Sequence, residues 1–200
     1  MQRRSQEDRS RTTRAALELA GRTLFAERGF AGTSAEQLVA AAGVTRGALH
    51  HHYGDKRGLF LAVLEQIETE ATAEIEAAVA AVDRADVIGG MTAGLARFLE
   101  LCGRPEMVRI VLMDAPTVLG WPAFREFEAR HGLGLITAEL QRATDAGLIP
   151  VAPVPVLAQL LLSAITEASL IVAHAADPDR ARAETQQSLL LLIGGLLRQD

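Results

Sequence analysis

Apolar residues recur every three to four positions along most of this chain, and Gly, Pro, Ser, Thr and Asp cut that pattern into segments. Leu17, Ala20, Gly21, Leu24 and Phe25 form one stripe, which predicts a first helix from about Arg11 to Arg28. Residues 1–9 are polar and without periodicity, which predicts an unstructured arm. Gly29 follows as a left-handed stop, with Phe30 folding back onto the helix end. Thr33-Ser34-Ala35-Glu36 reads as a capping box, with Thr33 as N-cap and Glu36 reaching back. A second helix then spans about Ser34 to Ala41 and buries Leu38. Gly43 closes it, and Val44 turns into a small core. Thr45 caps a third helix, Arg46–His52, anchored by Leu49, with Arg46, Gly47, His50 and His51 facing outward. Asp55 caps a fourth helix, in which Phe60, Val63, Leu64, Ile67, Ala71, Ile75 and Ala78 carry a stripe to about Val82.

Five more helices are predicted beyond a polar break at Asp83–Asp86. They span about Val87–Cys102, Glu106–Asp114, Ala123–Ala146, Val156–Ala176 and Pro178–Arg198. Ala115–Pro122, rich in breakers, reads as a loop, and Ile149–Pro155 as a rigid connector with three prolines. The last two helices are apolar around most of their circumference, so each must be covered on several sides. Pairing with the same helices of a second subunit would give a four-helix interface, and burial in a monomer core is the plainer alternative.

The expected fold class is therefore all-α, about nine helices, with a three-helix head (1–54) carrying a helix-turn-helix and a C-terminal domain (55–200). Composition agrees: Ala, Leu and Val dominate the 49% hydrophobic residues, and only 4% are aromatic. Charge is uneven. Residues 1–58 hold ten basic and six acidic groups, and the rest holds ten basic and nineteen acidic. A basic head on an acidic body fits a polyanion-binding end attached to a body that repels the polyanion. The single Cys102 excludes an internal disulfide and fits a reducing cytoplasm. No segment reads as a signal peptide, and the apolar run 155–176 is interrupted by Gln159, Ser163, Thr166 and Glu167, so no membrane partner is expected.

A short polar helix between two tight turns is poor core material and suits a DNA groove. Arg46 is the prime base-reading candidate, since a guanidinium can bond guanine N7 and O6 together. A phosphate contact is the alternative. Gly47 would let the backbone approach closely, and the N-terminus of the fourth helix with Lys56 and Arg57 would clamp phosphate. His50, His51 and His52 point about 100° apart on a helix, so they cannot converge on one metal ion.

Arg14, Leu17, Ala20, Leu24-Phe25, Gly29-Phe30, Thr33-Ser34, Leu38, Ala42-Gly43-Val44-Thr45, Gly47, Leu49, His52-Tyr53 and Lys56 lie at the spacing of the TetR family of bacterial transcriptional regulators, which the first quarter of the chain resembles. The resemblance implies a homodimer that binds a palindromic double-stranded DNA operator, usually repressing until a small effector occupies the C-terminal domain. It implies base reading by Thr45, Arg46, Gly47 and His51, and phosphate contacts from Thr33, His50 and Lys56. Where the family usually has Tyr, this chain has His50. The resemblance also places an apolar effector pocket, for which Met91, Phe98, Met107, Met113, Trp121, Phe124, Phe127 and His131 are candidates. Each of these is individually as well explained as core. Leu157, Leu161, Ile165, Leu189, Leu192, Ile193 and Leu196 are the candidates for the subunit interface.

Enzymatic motifs are absent: no Gly-rich phosphate loop, no G-x-S-x-G, no H-E-x-x-H, and no His near Cys102 in sequence. No cofactor or metal is expected. The competing reading is a helical ligand-binding or scaffolding protein without DNA function.

Overall fold

Nine α-helices and one π-helical stretch make up the computed structural model, which describes residues 2–150 and 153–196; no strand occurs among them. The chain divides into two compact units, one formed by Met1–Ile67 with Pro105–Val118, the other by Glu68–Arg104 with Leu119–Asp200. The boundary expected at 54/55 thus falls inside the first unit. That unit keeps the first turns of the fourth helix and takes in a later segment.

In the first unit, α1 (Gln2–Arg28), α2 (Ala35–Ala42), α3 (Arg46–Tyr53) and the start of α4 (Lys56–Ala80) enclose a small core. Leu17, Phe25, Leu38, Leu49, Leu59, Phe60, Val63 and Leu64 are buried in it. The rings of Phe25, Phe30 and Phe60 meet in near edge-on pairs, 5.3 Å between Phe25 and Phe60 and 5.1 Å between Phe30 and Phe60. Gly21 lets α1 approach α4: a Cβ there would sit 3.1 Å from Val63 Cγ2.

Helix α1 starts at Gln2, so most of the arm expected over residues 1–9 is helical; Met1 lies outside the described residues. The buried half of α1 supplies the nucleus, after which each added Gln, Arg or Glu extends the helix at little cost. An Arg11–Asp8 ion pair and a bond from the Thr12 hydroxyl to the Asp8 carbonyl support that extension.

The segment Met107–Asp114 is π-helical and runs directly into α6 (Ala115–Leu119). A plain helix followed by a loop was expected there. Pro116 sits in the first turn of α6, inside this continuous helical run, where it has no N–H to give the preceding turn. Polar bonds tie this stretch to the rest of its unit. Arg22 bonds Glu106 at 3.0 Å, and the Asp114 carboxylate accepts the Phe30 backbone N–H at 2.6 Å.

In the second unit, α5 (Val87–Leu101), α7 (Trp121–Asp145), α8 (Val154–His174) and α9 (Pro178–Gly194) form a bundle. Val87, Leu140, Ala143, Ile149, Val154, Ala158 and Leu161 make one core cluster, and Leu95, Leu99, Ala168 and Leu189 a second. The Glu74 carboxylate accepts bonds from both Arg97 and Arg104, joining the second half of α4 to the C-terminal end of α5 and the turn after it. Helix α8 begins at Val154, before the expected start, with Pro155 in its first turn. The expected end of the last helix at Arg198 lies outside the described residues. Length and apolarity alone would also suit α8 to a membrane, but eight of its residues are buried within the protein.

Candidate nucleic-acid interface

Local chemistry builds the helix-turn-helix. Gly43 ends α2 in the left-handed conformation at φ 65°, where a side chain would be strained, and donates to the Ala40 and Val39 carbonyls. Thr45 caps α3 as expected, its hydroxyl oxygen accepting the Ala48 N–H at 3.2 Å. Leu49 is buried beneath α3, while Thr45, Arg46, Gly47, His50 and His51 are exposed. A Cβ on Gly47 would meet nothing nearer than Thr45 Oγ1 at 3.7 Å. Nothing inside the protein therefore requires glycine at this position.

The cap of α2 lies one residue further on than expected. Ser34, not Thr33, is the N-cap; it accepts the Gln37 N–H, and the Gln37 side chain accepts the Ser34 N–H at 2.8 Å. The same S-x-x-Q pattern stands in the sequence beside T-x-x-E, and packing decides between them. Thr33 is buried, and its hydroxyl donates toward the carbonyls of Gly29 (2.8 Å) and Leu24 (3.2 Å). The Thr33 hydroxyl, expected at phosphate, is thus turned to internal carbonyls, and Ser34 is the exposed hydroxyl at this helix end.

Lys56, also expected at phosphate, makes contacts inside the first unit. Its ammonium donates to the carbonyls of Phe30 and Thr33, each at 2.8 Å, and lies 4.1 Å from the centre of the Phe30 ring. The side chain pins the α1–α2 turn to α4, which takes two of its three ammonium donors. At the same helix end, the Asp55 carboxylate accepts the Gly58 N–H at 2.8 Å, as a capping residue should.

His50 bonds the Gly54 carbonyl through Nδ1 at 2.6 Å. A carbonyl only accepts, so Nδ1 carries the proton. The neutral ring then presents Nε2 as an acceptor, and a bond to phosphate calls for the imidazolium. The His51 and His52 rings pack edge to face at 5.0 Å. Burial, then the nearby His51 and Arg14, push the His52 imidazole below the ordinary histidine range. Tyr53 donates to Glu18 at 2.7 Å, and burial plus that bond push its phenol up to about 12. Between α3 and the first half of α1 lies an open cleft of about 900 Å³, lined by Arg9, Arg11, Arg14, Glu18, His51 and His52 among others. Arg11, Arg14 and Glu18 stand on the helix expected from Arg11, and the helical start of α1 adds Arg9 from the stretch expected as an arm.

The other candidate sites divide between the units. Met107, buried, and Met113, exposed, belong to the first unit. Met91, Phe98, Trp121, Phe124, Phe127 and His131 belong to the second, where Phe124 and Phe127 are buried, Trp121 is exposed, and the His131 ring lies 4.7 Å from that of Phe127. Neither unit by itself brings the eight together. Of the seven interface candidates, Leu157, Leu161, Ile165, Leu189, Ile193 and Leu196 pack in or against the second unit's own core, and only Leu192 is exposed. Among the described residues of the second unit, the large apolar side chains left exposed are Trp121 on α7, Val156, Leu160 and Ile171 on one face of α8, and Leu191 and Leu192 on α9. Burial pushes the Cys102 thiol up to about 12, which removes it as a nucleophile.

Two family models match the chain. "Bacterial regulatory proteins, tetR family" covers residues 19–63, and "Tetracyclin repressor-like, C-terminal domain" covers 88–196. A solved TetR-family transcriptional regulator from Pectobacterium atrosepticum is 35% identical, with a TM-score of 0.84 over 96% of this chain and 97% of that one. The transcriptional repressor AcnR of Corynebacterium diphtheriae is 32% identical over 60% of this chain. AcnR of Corynebacterium glutamicum is 39% identical over 30% of it. The matched stretches span 58% and 31% of those two repressors.

Proposed function

This chain belongs to the TetR family of bacterial regulatory proteins, and from that premise we propose that it is a homodimeric transcriptional repressor which grips a palindromic operator and releases it on binding a small effector. It is a regulator, not an enzyme, as are its repressor relatives. The observation that carries the proposal is the exposed face of α3, where Thr45, Arg46, Gly47, His50 and His51 stand clear of a helix held from beneath by Leu49. Arg46 reads guanine, Gly47 leaves room for the groove wall, and Thr45 and His51 contact flanking base edges. Ser34 at the start of α2, the N-terminus of α4 and His50 hold the backbone on either side. The basic cleft beside α1 lies where the neighbouring phosphates would run.

The exposed apolar side chains of α8 and α9 support pairing of two copies through these helices. Two α3 helices would then enter successive major grooves about 34–36 Å apart. The effector binds the C-terminal domain and acts by favouring one of two conformations through a difference in affinity. The apolar character of the second unit favours a poorly charged molecule. The place of action is the cytoplasm, where the operator is.

Selection from random duplex DNA at physiological salt tests this reading. The expected product is an inverted repeat with half-sites about one helical turn apart. Arg46→Ala should relax one base position in each half-site. Recovery of DNA without any enriched sequence would sink the proposal and favour a scaffold without DNA function.

A further inference from the structure

Helix α2 places a carboxylate on the face of the head that is proposed to meet DNA, where polyanionic phosphate should disfavour it. Glu36 lies in the first turn of α2, exposed, and its Oε1 accepts a bond from Arg46 Nη1 at 2.8 Å. Neither side chain is held there by burial, since each is well over half exposed. The carboxylate has other partners. The backbone N–H of Glu36 and the Ser34 hydroxyl both hydrogen-bond to it, and together with Arg46 they hold it below the usual carboxylate range. Ser34 is itself fixed as the N-cap of α2 through Gln37. A chain of contacts therefore runs from the capped start of α2, through Glu36, to one nitrogen of the Arg46 guanidinium.

We propose that Glu36 is a positioning residue for sequence reading: it holds the Arg46 fork by one amino group so that the remaining N–H donors face guanine. This rests on the DNA-binding reading above. A guanidinium has five donors in a rigid plane, so one carboxylate bond still leaves a pair for N7 and O6. A free arginine must give up rotamer freedom on binding, and a side chain already held gives up less. When DNA excludes water from the pair, the attraction strengthens, so the carboxylate is neutralised where phosphate would otherwise repel it. In the free protein the exposed pair adds little to stability, so its loss leaves the fold intact.

The test is base preference at the position relaxed by Arg46→Ala, read in parallel for wild type, Glu36→Gln, Arg46→Ala and the double variant. Glu36→Gln keeps the side-chain length and removes the charge. The expected result is a roughly tenfold fall in preference for guanine at that one position, within the range of a bidentate arginine–guanine contact. Non-specific affinity should hold or rise, because one negative charge has left the interface. Thermal melting should be unchanged, and Glu36→Gln should have no effect on preference in the Arg46→Ala background. If Glu36→Gln instead tightens operator binding with base preference intact, Glu36 is only a repulsive surface charge and the inference fails. A loss of preference spread evenly over all positions would also overturn it. Wild-type protein without sequence selectivity would overturn the DNA-binding reading itself, and this inference with it.

Discussion

The outer face of α3 and the outer faces of α8 and α9 are both exposed, yet they are made in opposite ways. On α3 the exposed side chains are polar or absent: Thr45, Arg46, Gly47, His50, His51. They are oriented by caps and hydrogen bonds, such as Thr45 to the Ala48 N–H, Arg46 to Glu36 and His50 to the Gly54 carbonyl. On α8 and α9 the large exposed side chains include the apolar Val156, Leu160, Ile171, Leu191 and Leu192, set beside polar ones such as Glu167, Gln187 and Ser188. Directional bonds specify a partner atom by atom, as base edges demand. Apolar surface specifies only shape and dryness, which suits a second copy of the same surface. On the proposed reading, the difference teaches that recognition in the head would reside in donors and acceptors, whereas in the body it would reside in area.

The largest effect should come from charging the apolar face. Leu191→Glu would put a carboxylate where two copies are proposed to meet and leave the protomer core untouched, since Leu191 is 72% exposed. Sedimentation should show a monomer, and operator affinity should fall on the order of 10²-fold as one half-site loses its linked partner. An unchanged dimer would place the interface elsewhere. Next is Lys56→Met, which keeps the stem and removes the ammonium from the Phe30 and Thr33 carbonyls. Denaturant unfolding of the first unit should lose about 2 kcal/mol. The salt dependence of DNA binding should barely change, which separates an internal clamp from a phosphate contact.

Smaller, and opposite in sign for fold and function, is Gly47→Ala. The added methyl meets only open space and removes the helix penalty of glycine, so stability should rise by up to about 1 kcal/mol. Operator affinity in a gel-shift titration should nevertheless fall, because the room belongs to DNA. Unaltered affinity would show that the groove does not approach α3 here.

The smallest and most gradual contrast is in acid. His52 has a lowered value in the folded head. The unfolded chain therefore takes up the proton first, and stability declines as pH falls below about 6.5. Glu74 is held down to about 2 by Arg104 and then Arg97. Its contribution is complete above the ordinary value of 4.5 and is lost as pH falls from there toward 2. Hydrogen exchange across this range should show the first unit loosening before the second. Arg104→Ala and His52→Gln combined should flatten both acid dependences.

The head was legible because its signals are local. Gly29 and Gly43 adopt the left-handed turns their positions predicted, Thr45 and Asp55 cap where expected, and Leu49 is the anchor of α3. Membership of the TetR family followed from the same residues. Where the head was misread, two local signals competed. T-x-x-E and S-x-x-Q overlap by one position, and the choice fell to whether the Thr33 hydroxyl had buried carbonyls within reach. The body was less legible because helices apolar on most sides do not announce which side faces whom. Leu157, Leu161 and Leu189 are as apolar as Leu160 and Leu191, and only packing against α5 and α7 separates the first group from the second.

Caps, turns and hydrophobic spacing act over about four residues, so they were written in the chain: helical class, the helix-turn-helix and the outward face of α3. Contacts between residues far apart in the chain needed the folded structure. These are Lys56 on the Phe30 and Thr33 carbonyls, Asp114 on the Phe30 N–H, Glu36 on Arg46, and the apolar stripe left over once the bundle had closed. In each case a side chain capable of several roles was assigned one by the neighbour it met, and no periodicity encodes that neighbour.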